Sequence, residues 1–308
     1  MYYHDLNSEL RSRFGCKVYK LSLATGATCP NRDGRCGTGG CIFCDGSGFF
    51  AAKGASVEEQ LAEAKAGIRN KVPAGTRYIA YFQDYSATYV PLPRLEKAFS
   101  AALADPEVVM LSAATRPDCL PEPVLDLLSA CREQKPVMVE LGLQTIHAHS
   151  AERIRRGYDL SVFEDAVSQL RKRNLEVVVH LILGMPWETR EEMLESAAYV
   201  GRMDVQGVKL HLLHVLSGTD LGDAYLQAPF PLPDLEEYIS LLEDALRFLP
   251  PEMVIHRLTG DGAKKNLIAL LWSADKKHVL NAIRAAFERD NLVQGNGLHQ
   301  AWCSIIIP

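Results

Sequence analysis

Residues 175–184 spell LEVVVHLILG, an almost unbroken apolar run. A strand with one face in water alternates apolar and polar residues, whereas a strand covered on both faces is apolar throughout. The run is therefore predicted to be a strand inside a parallel sheet with helices on both sides. PVMVELGLQT (136–145) has the same character, and a polar, helix-type segment follows each of the two runs.

The alternation of strand and helix extends in both directions along the chain. The segments between the apolar runs have helix-capping serine or proline, early acidic residues and late basic ones. The six predicted strands are 17–25, 77–83, 107–115, 136–145, 175–184 and 205–215. The pattern predicts an α/β fold, a partial (β/α)6 barrel with functional residues at the carboxyl ends of its strands.

The character of the sequence changes after residue 216. PDLEEYISLLEDALRFLP (233–250) and DKKHVLNAIRAAFERDN (275–291) are predicted helices, and MVIHRL (253–258) is a candidate strand. We expect the barrel to span 1–216, with a cysteine-rich loop at 26–50. We expect 217–308 to be a C-terminal extension of helical and mixed structure that packs on the barrel and closes part of its lateral gap.

Composition restricts the classes of function. With 308 residues, 47% hydrophobic and 23% charged, the chain can bury a full core and does not resemble a disordered protein. It has no signal-peptide core and no apolar run of about 18 residues, so a cytoplasmic protein without membrane association is predicted. The net charge of −5 disfavours broad nucleic-acid binding but allows a local basic patch.

Candidate cations for such a patch lie in the N-terminal part near the cysteine loop and in the C-terminal part. They form either a phosphate-binding rim or ordinary solvated faces. The set is Arg11, Arg13, Lys17, Lys20, Arg32, Arg35, Lys264, Lys265, Lys276 and Lys277.

Four of the eight cysteines lie in TCPNRDGRCGTGGCIFC (28–44). In an intracellular chain of this length, such a group indicates a metal or iron–sulfur site. Cys41 and Cys44 form a C-x2-C pair, which suits one zinc ion or one cluster, and the glycines let the backbone wrap around an inorganic core. The spacing alone does not decide between Cys29 and Cys36 as a third ligand, and structural zinc is an alternative.

The loop resembles that of the radical S-adenosylmethionine (SAM) superfamily, in the branch related to the elongator catalytic subunit. Cys29-x11-Cys41-x2-Cys44, with CPNRDG and GTGGC, is similar to the long-gap signature of the YhcC/YtqA (MnmL) family. The resemblance implies a [4Fe–4S] cluster on these three cysteines, with SAM at the open iron and Phe43 near the adenine. Cys36, which the family usually lacks, is an idle thiol, an alternative ligand or a redox-sensitive residue.

Further motifs follow the cysteine loop in the order of the superfamily's SAM-binding motifs. They are YFQDYSATY (81–89), ATRPD (114–118), VELGLQT (139–145), ERIRRGYD (152–159) and HLILGMPWET (180–189). Each has an ordinary structural role as its alternative. The resemblance implies SAM contacts from Phe43, Gln83, Thr115, Gln144, Arg156, His180, Leu181 and Gly184.

A second set of polar residues is predicted to meet the substrate. Glu140 lies inside a strand, where an unpaired carboxylate is costly, so it is either functional or paired with Arg116 or a lysine. Lys209 and His211 share one face of the sixth strand. The set comprises Tyr85, Arg116, Glu140, Lys209, His211 and, from HRLTGDG (256–262), His256, Arg257 and Asp261.

The resemblance also implies an activity. Reductive cleavage of SAM would give a 5′-deoxyadenosyl radical that abstracts hydrogen from the substrate, with flavodoxin or ferredoxin as electron donor. The substrate implied is the wobble uridine of tRNA, whose 5-carboxymethylaminomethyl group would become 5-aminomethyl. The alternatives are a radical SAM enzyme for a protein or small metabolite, and a non-catalytic iron–sulfur or zinc-binding regulatory protein.

Overall fold

The computed structural model describes residues 2–46, 55–260 and 264–298. Its centre is a sheet in which seven strands follow one another in chain order, every neighbouring pair being parallel. The strands are β1 (Val18–Leu23), β2 (Arg77–Phe82), β3 (Val108–Thr115), β4 (Val137–Gln144), β5 (Glu176–Leu183), β6 (Gly207–Leu212) and β7 (Val254–Arg257).

Helices connect the strands and cover the outer face of the sheet. They are α1 (Leu6–Phe14), α2 (Val57–Ile68), α3 (Leu92–Ala104), α4 (Glu122–Arg132), α5 (Ala148–Arg153), α6 (Leu160–Lys172), α7 (Arg190–Gly201), α8 (Asp220–Gln227), α9 (Leu235–Arg247) and α10 (Lys276–Arg289). Among the described residues, none of the helices is long and apolar enough to cross a membrane.

The partial barrel predicted from the alternation is confirmed, and all six predicted strands are present. The candidate strand at 253–258 also forms, as β7, and pairs with β6. The sheet is therefore one strand wider than the six-unit barrel expected from the sequence.

Alternate residues of each strand point into the barrel. At the amino-terminal end, these inward side chains form an apolar layer on which Leu10 of α1 packs. The layer consists of Val18, Ile79, Met110, Met138 and Val178. It closes the lower end of the barrel.

The segment before α1 joins the two open edges of the barrel. The carbonyl of His4 accepts a 2.8 Å hydrogen bond from the Ile255 amide, so residues 4–5 extend the sheet beyond β7. α1 then contacts both β7 and β1, the two edge strands. In the part of the chain that the structure describes, α1 thus covers the amino-terminal ends of the strands and not their carboxyl-terminal ends.

Candidate active site

The cysteine loop follows β1 and therefore lies at the carboxyl-terminal end of the barrel. Buried Asn31 holds it in place, since its side-chain amide donates to the carbonyl of Arg155 at 2.6 Å and lies 3.6 Å from the Cys41 sulfur. Gly40 has a φ of +76°, and a Cβ there would stand 2.9 Å from the Arg32 guanidinium. The glycine therefore allows the loop to pass tightly over this arginine.

The thiols of Cys29, Cys41 and Cys44 are close enough to interact electrostatically. Burial, with a contribution from the neighbouring thiols, raises the pKa of Cys29 and brings that of Cys41 to about 11. A bound cationic metal group reverses this cost, because thiols ligate as thiolates. All three are free of disulfides.

Three thiols on one glycine-rich loop can ligate a [4Fe–4S] cluster, whose ligands surround a larger body than a zinc ion. In the parts of the chain that the structure describes, no group of three cysteine, histidine or carboxylate side chains is placed to hold a single metal ion.

Cys36 lies on the outer side of the same loop. Its thiol is exposed and stands 3.8 Å from a carboxylate oxygen of Asp118. Asp118 in turn accepts two 2.8 Å hydrogen bonds from Arg116, which also donates to the carbonyl of Arg156. The Arg116 side chain is therefore already hydrogen-bonded within the protein, and its positive charge lies near the thiols of Cys29 and Cys41.

The segment after β2 holds the entry to the cysteine loop, mainly through Asp84. The backbone amides of Thr25, Gly26 and Ala27 donate to its carboxylate at 3.0, 2.7 and 2.8 Å. Burial raises the pKa of this carboxyl, although the three amides oppose the shift. Asp84 therefore fixes the backbone that leads to Cys29.

Gln83 and Tyr85 flank Asp84 at the same strand end. The Gln83 amide donates to the Ser22 hydroxyl at 2.7 Å. Tyr85 has a left-handed backbone, with φ of 50°, and its hydroxyl donates to the carbonyl of Gly46. The segment thus contacts the cysteine loop at both its entry and its exit.

The backbone conformation at the end of β4 is also unusual. Gln144 has a φ of 66°, a conformation that non-glycine residues adopt mainly where surrounding structure enforces it. The buried Arg156 side chain donates to the carbonyls of Leu143, Thr145 and Tyr158 at 3.1, 2.7 and 3.0 Å. Arg156 thereby fixes the turn that presents Gln144; the predicted contacts of both with SAM stay predictions.

The remaining residues predicted to contact SAM lie either in the cysteine loop or on, or directly after, a strand. Phe43 packs in a small apolar cluster beside the cysteine loop, and buried Thr115 shares a 2.6 Å hydrogen bond with Thr88. Leu181 points outward into the main core, so only its backbone faces the barrel. Gly184 follows β5 with a φ of +83°, where a Cβ would stand 3.2 Å from Pro233.

Glu140 lies in the middle of the barrel, fully buried. Its carboxylate accepts hydrogen bonds from Lys20 at 2.7 Å, Tyr81 at 2.9 Å, His180 at 2.9 Å and Ser112 at 3.1 Å, and from Lys209. Six consecutive strands thus contribute one side chain each. We call this layer the floor: Lys20, Tyr81, Ser112, Glu140, His180 and Lys209.

Burial and mutual charge shift the pKa values in the floor. Burial raises the pKa of Glu140, but Lys20, Lys209 and His180 outweigh this and hold it well below its usual range. Burial lowers the pKa of Lys209 to about 7, although Glu140 opposes the shift. Burial and the charge of Lys209 lower the pKa of His180 to about 4. Glu140 is ionised and His180 neutral at pH 7.

A cavity lies above the floor, toward the carboxyl-terminal end. The next inward residue of each strand is partly exposed, whereas the outward residues between them are mostly buried. On β3 and β4 these residues are Ala114 and Gly142, and the Gln144 amide lies 2.5 Å from where a Cβ of Gly142 would stand. The series is Ser22, Gln83, Ala114, Gly142, Ile182 and His211.

The predicted residues of β6 and β7 border this interior. The ring of His211 stands 5.1 Å from that of His180, and its buried Nε2 has no hydrogen-bond partner among the described residues. His256 lies beside Gly207, where a Cβ would approach its ring to 2.7 Å. Arg257 pairs with Lys209 in the sheet register. Asp261 lies outside the described residues.

The predicted crowding of N-terminal cations near the cysteine loop is wrong for four residues. Arg11 and Arg13 belong to α1, and Lys17 directly precedes β1, so all three lie at the opposite end of the barrel. Lys20 is inside, in the floor. Strand direction explains the error, because a short strand separates these residues from the loop in space.

Two cations of the predicted set, Arg32 and Arg35, do lie at the cysteine loop, and with Arg153 each lies over an aromatic ring. Arg32 lies 6.0 Å from the ring centroid of Tyr85, Arg35 lies 5.4 Å from Tyr89, and Arg153 lies 4.6 Å from Trp187. We call these three pairs the mouth. Arg35 and Arg153 are exposed.

Sequence reasoning missed Tyr81 and Asp84 as site residues and assigned Lys20 to a surface patch instead of the floor. Alternation along β1 places Lys20 on the same face as the apolar Val18, which was the available signal. Tyr81 follows Ile79 in the same way on β2. Asp84 had no periodic signal, because its role depends on a loop about 60 residues earlier in the chain.

Comparison with known proteins agrees with this geometry. Residues 29–200 match the Radical SAM superfamily, and residues 205–289 match the Radical_SAM C-terminal domain. YtqA of Bacillus subtilis (strain 168), described as uncharacterized, is 42% identical over 296 residues, covering 95% of this chain and 92% of that protein. The tRNA uridine(34) acetyltransferase of Methanocaldococcus jannaschii is 27% identical over 191 residues, covering 57% of this chain and 34% of that protein.

A solved structure shows the same fold. Methanocaldococcus infernus Elp3, with an N-terminal deletion, matches with a TM-score of 0.67 at 17% identity, covering 94% of this chain and 68% of that one. The superfamily match spans residues 29–200, more than half of this chain, and YtqA aligns with nearly all of it. The chain therefore belongs to the radical SAM superfamily, in the same family as YtqA.

Proposed function

We propose that this radical SAM enzyme acts in the cytoplasm on the wobble uridine of tRNA, converting its 5-carboxymethylaminomethyl group to 5-aminomethyl. Cys29, Cys41 and Cys44 would hold the [4Fe–4S] cluster, and a flavodoxin or ferredoxin would reduce it. When bound, the cluster and SAM supply a 5′-deoxyadenosyl radical that abstracts hydrogen.

The mouth is the observation that carries the tRNA assignment. Aromatic rings and arginine guanidiniums are the groups that proteins use to stack unpaired RNA bases and bind the adjacent phosphates. A wobble uridine lies in a single-stranded loop, so its base can enter a concave site. The name of the M. jannaschii relative, a tRNA uridine(34) acetyltransferase, supports the same substrate class.

The proposed reaction needs no second molecule to accept the carboxymethyl group, because water releases it. Hydrogen abstraction from the methylene of the carboxymethyl group leaves a carbon radical next to nitrogen. A one-electron acceptor, a role that the oxidised cluster would supply, would take one electron from this radical to give an iminium. Water would then add to the iminium carbon, and collapse of the carbinolamine would break the carbon–nitrogen bond. The products are the primary ammonium of 5-aminomethyluridine and a two-carbon aldehyde acid.

The radical chemistry can be tested without knowing the substrate. We expect the anaerobically reconstituted enzyme to form 5′-deoxyadenosine from SAM and dithionite, and the Cys29→Ala variant to form none, because it lacks one cluster ligand. Failure of the fully loaded enzyme to exceed this variant would contradict the assigned activity.

The substrate is tested by comparing the nucleosides of tRNA from cells with and without the gene. We expect 5-carboxymethylaminomethyluridine to accumulate and 5-aminomethyluridine to fall when the gene is absent. Restoring the gene with the Cys29→Ala substitution should leave that profile uncorrected. An identical wobble-uridine profile in all strains would contradict the tRNA assignment.

A further inference from the structure

The floor carries more positive than negative charge. Glu140 is its one carboxylate, and it faces the ammonium groups of both Lys20 and Lys209. Arg257 acts electrostatically on Tyr81, His180 and Lys209 as well. A buried site with an excess of cations is favourable for an anion.

Among the described residues, the floor is covered below and keeps some exposure to solvent. The apolar layer and α1 close the barrel below. The side chains of Lys20 and His180 keep 19% and 20% of their exposure, while that of Glu140 keeps none. Because Ala114 carries only a methyl group and Lys20 and His180 stay partly exposed, a ligand that enters from the carboxyl-terminal end can reach the lysines.

His211 supplies an unused polar atom at the same place. Its Nε2 is buried without a hydrogen-bond partner among the described residues, and its ring is adjacent to His180. An orphaned buried polar atom is costly unless a ligand or water satisfies it. It lies one step above Lys209 on the same strand face.

We infer that the floor is a carboxylate-binding site, in which Lys20, Lys209 and His211 hold the carboxylate of the substrate's side chain. The identity of that substrate rests on the proposed function. Binding there would place the methylene next to the carboxylate in the cavity above the floor, on the side of the cysteine loop. The site would also select carboxymethylaminomethyl over side chains that lack a carboxylate.

The test compares two anticodon stem–loop RNAs that differ only at the wobble uridine, with 5-carboxymethylaminomethyl or 5-methylaminomethyl. We expect the SAM-loaded enzyme to bind the first more tightly by about ten- to a hundredfold, as one charged hydrogen-bonded contact supplies. Lys209→Met should reduce this preference to near unity, and Glu140→Gln should also reduce it, because loss of Glu140 lowers the pKa of Lys209 further. Lys65→Met, which removes an ion pair outside the barrel, is the matched control and should preserve it.

Small molecules used in place of RNA test the carboxylate site separately from the proposed tRNA substrate. N-benzylglycine should bind the enzyme more tightly than benzylamine, and Lys209→Met should abolish the difference. Retention of both preferences in Lys209→Met and Glu140→Gln would overturn the carboxylate site while leaving the tRNA activity intact. Conversely, enzyme that discriminates the small probes but ignores both RNAs would keep the carboxylate site and overturn the proposed substrate.

Discussion

Glu140 is held by more partners than stability requires. Burying a carboxylate costs several kcal/mol, and replacing a buried ion pair with apolar residues is often neutral or stabilising. The barrel nonetheless surrounds it with two lysines, a histidine and two hydroxyls. This arrangement is the one expected for a polar surface that binds a ligand.

His180 gives a pH-dependent prediction. Its folded pKa of about 4 lies below the value of about 6.5 in an unfolded chain, so between these values the unfolded state binds a proton that the folded state does not. Stability therefore falls as the pH decreases through this window. We expect the wild type to lose roughly 2 kcal/mol more unfolding free energy than His180→Asn between pH 7 and pH 5.

Urea unfolding of the apoprotein at both pH values measures this difference. Glu140 does not contribute in this window, because its stabilisation is lost only as the pH falls below its unfolded value of about 4.5. Lys209 contributes only above its folded pKa of about 7. Equal pH dependence in the wild type and His180→Asn would show that His180 titrates normally.

At the scale of elements, the segment between β2 and α3 positions the cysteine loop. Asp84 accepts three backbone amides on the entry side, and Tyr85 bonds to Gly46 on the exit side. Outer-shell groups of this kind orient metal ligands without touching the metal. The loop itself has little regular structure, so its shape depends on these contacts.

Asp84→Ala should weaken cluster binding. We expect about a 10- to 100-fold loss of apparent cluster affinity, measured as iron retained against a chelator after reconstitution. Asp105→Ala is the control, since Asp105 pairs with Lys65 away from the loop. If the two variants lose iron equally at matched thermal stability, Asp84 has only a general structural role.

The strands and loops also show which features the sequence could predict and which it could not. The strands were predictable because their apolar runs reflect burial on both faces, which is a local property. Asp84 was not, since its partners at Thr25, Gly26 and Ala27 are distant in sequence. The cysteine ligands were suggested by spacing and selected by family resemblance, whereas Lys20 could only be assigned once the direction of β1 was known.

Over the whole molecule, the two ends of the barrel differ in the residues that they expose. The lower end is closed by α1, and its exposed cations, such as Arg11, lie far from the cysteine loop. The upper end combines the cavity, the cysteine loop and the mouth. A chain with a net charge of −5 can therefore still present a localised basic surface to RNA.

This asymmetry predicts where substitutions affect tRNA binding. Arg35→Ala combined with Arg153→Ala should weaken binding and reduce the slope of log affinity against log salt by about 1 for each phosphate that the variant no longer binds. Arg11→Ala removes one positive charge from α1, as each single mouth substitution does, and should change neither quantity. Filter or fluorescence titrations across a range of salt concentrations measure both.

The slope of log affinity against log salt distinguishes phosphate binding at the mouth from an effect of net charge. If net charge alone controlled binding, Arg11→Ala would weaken it as much as either single substitution in the mouth. If the mouth instead bound bases only by stacking, Arg35→Ala would lower the affinity at every salt concentration without changing the slope. A reduced slope confined to the mouth variants is expected only if phosphates lie against Arg35 and Arg153, which would place the anticodon loop over the cavity.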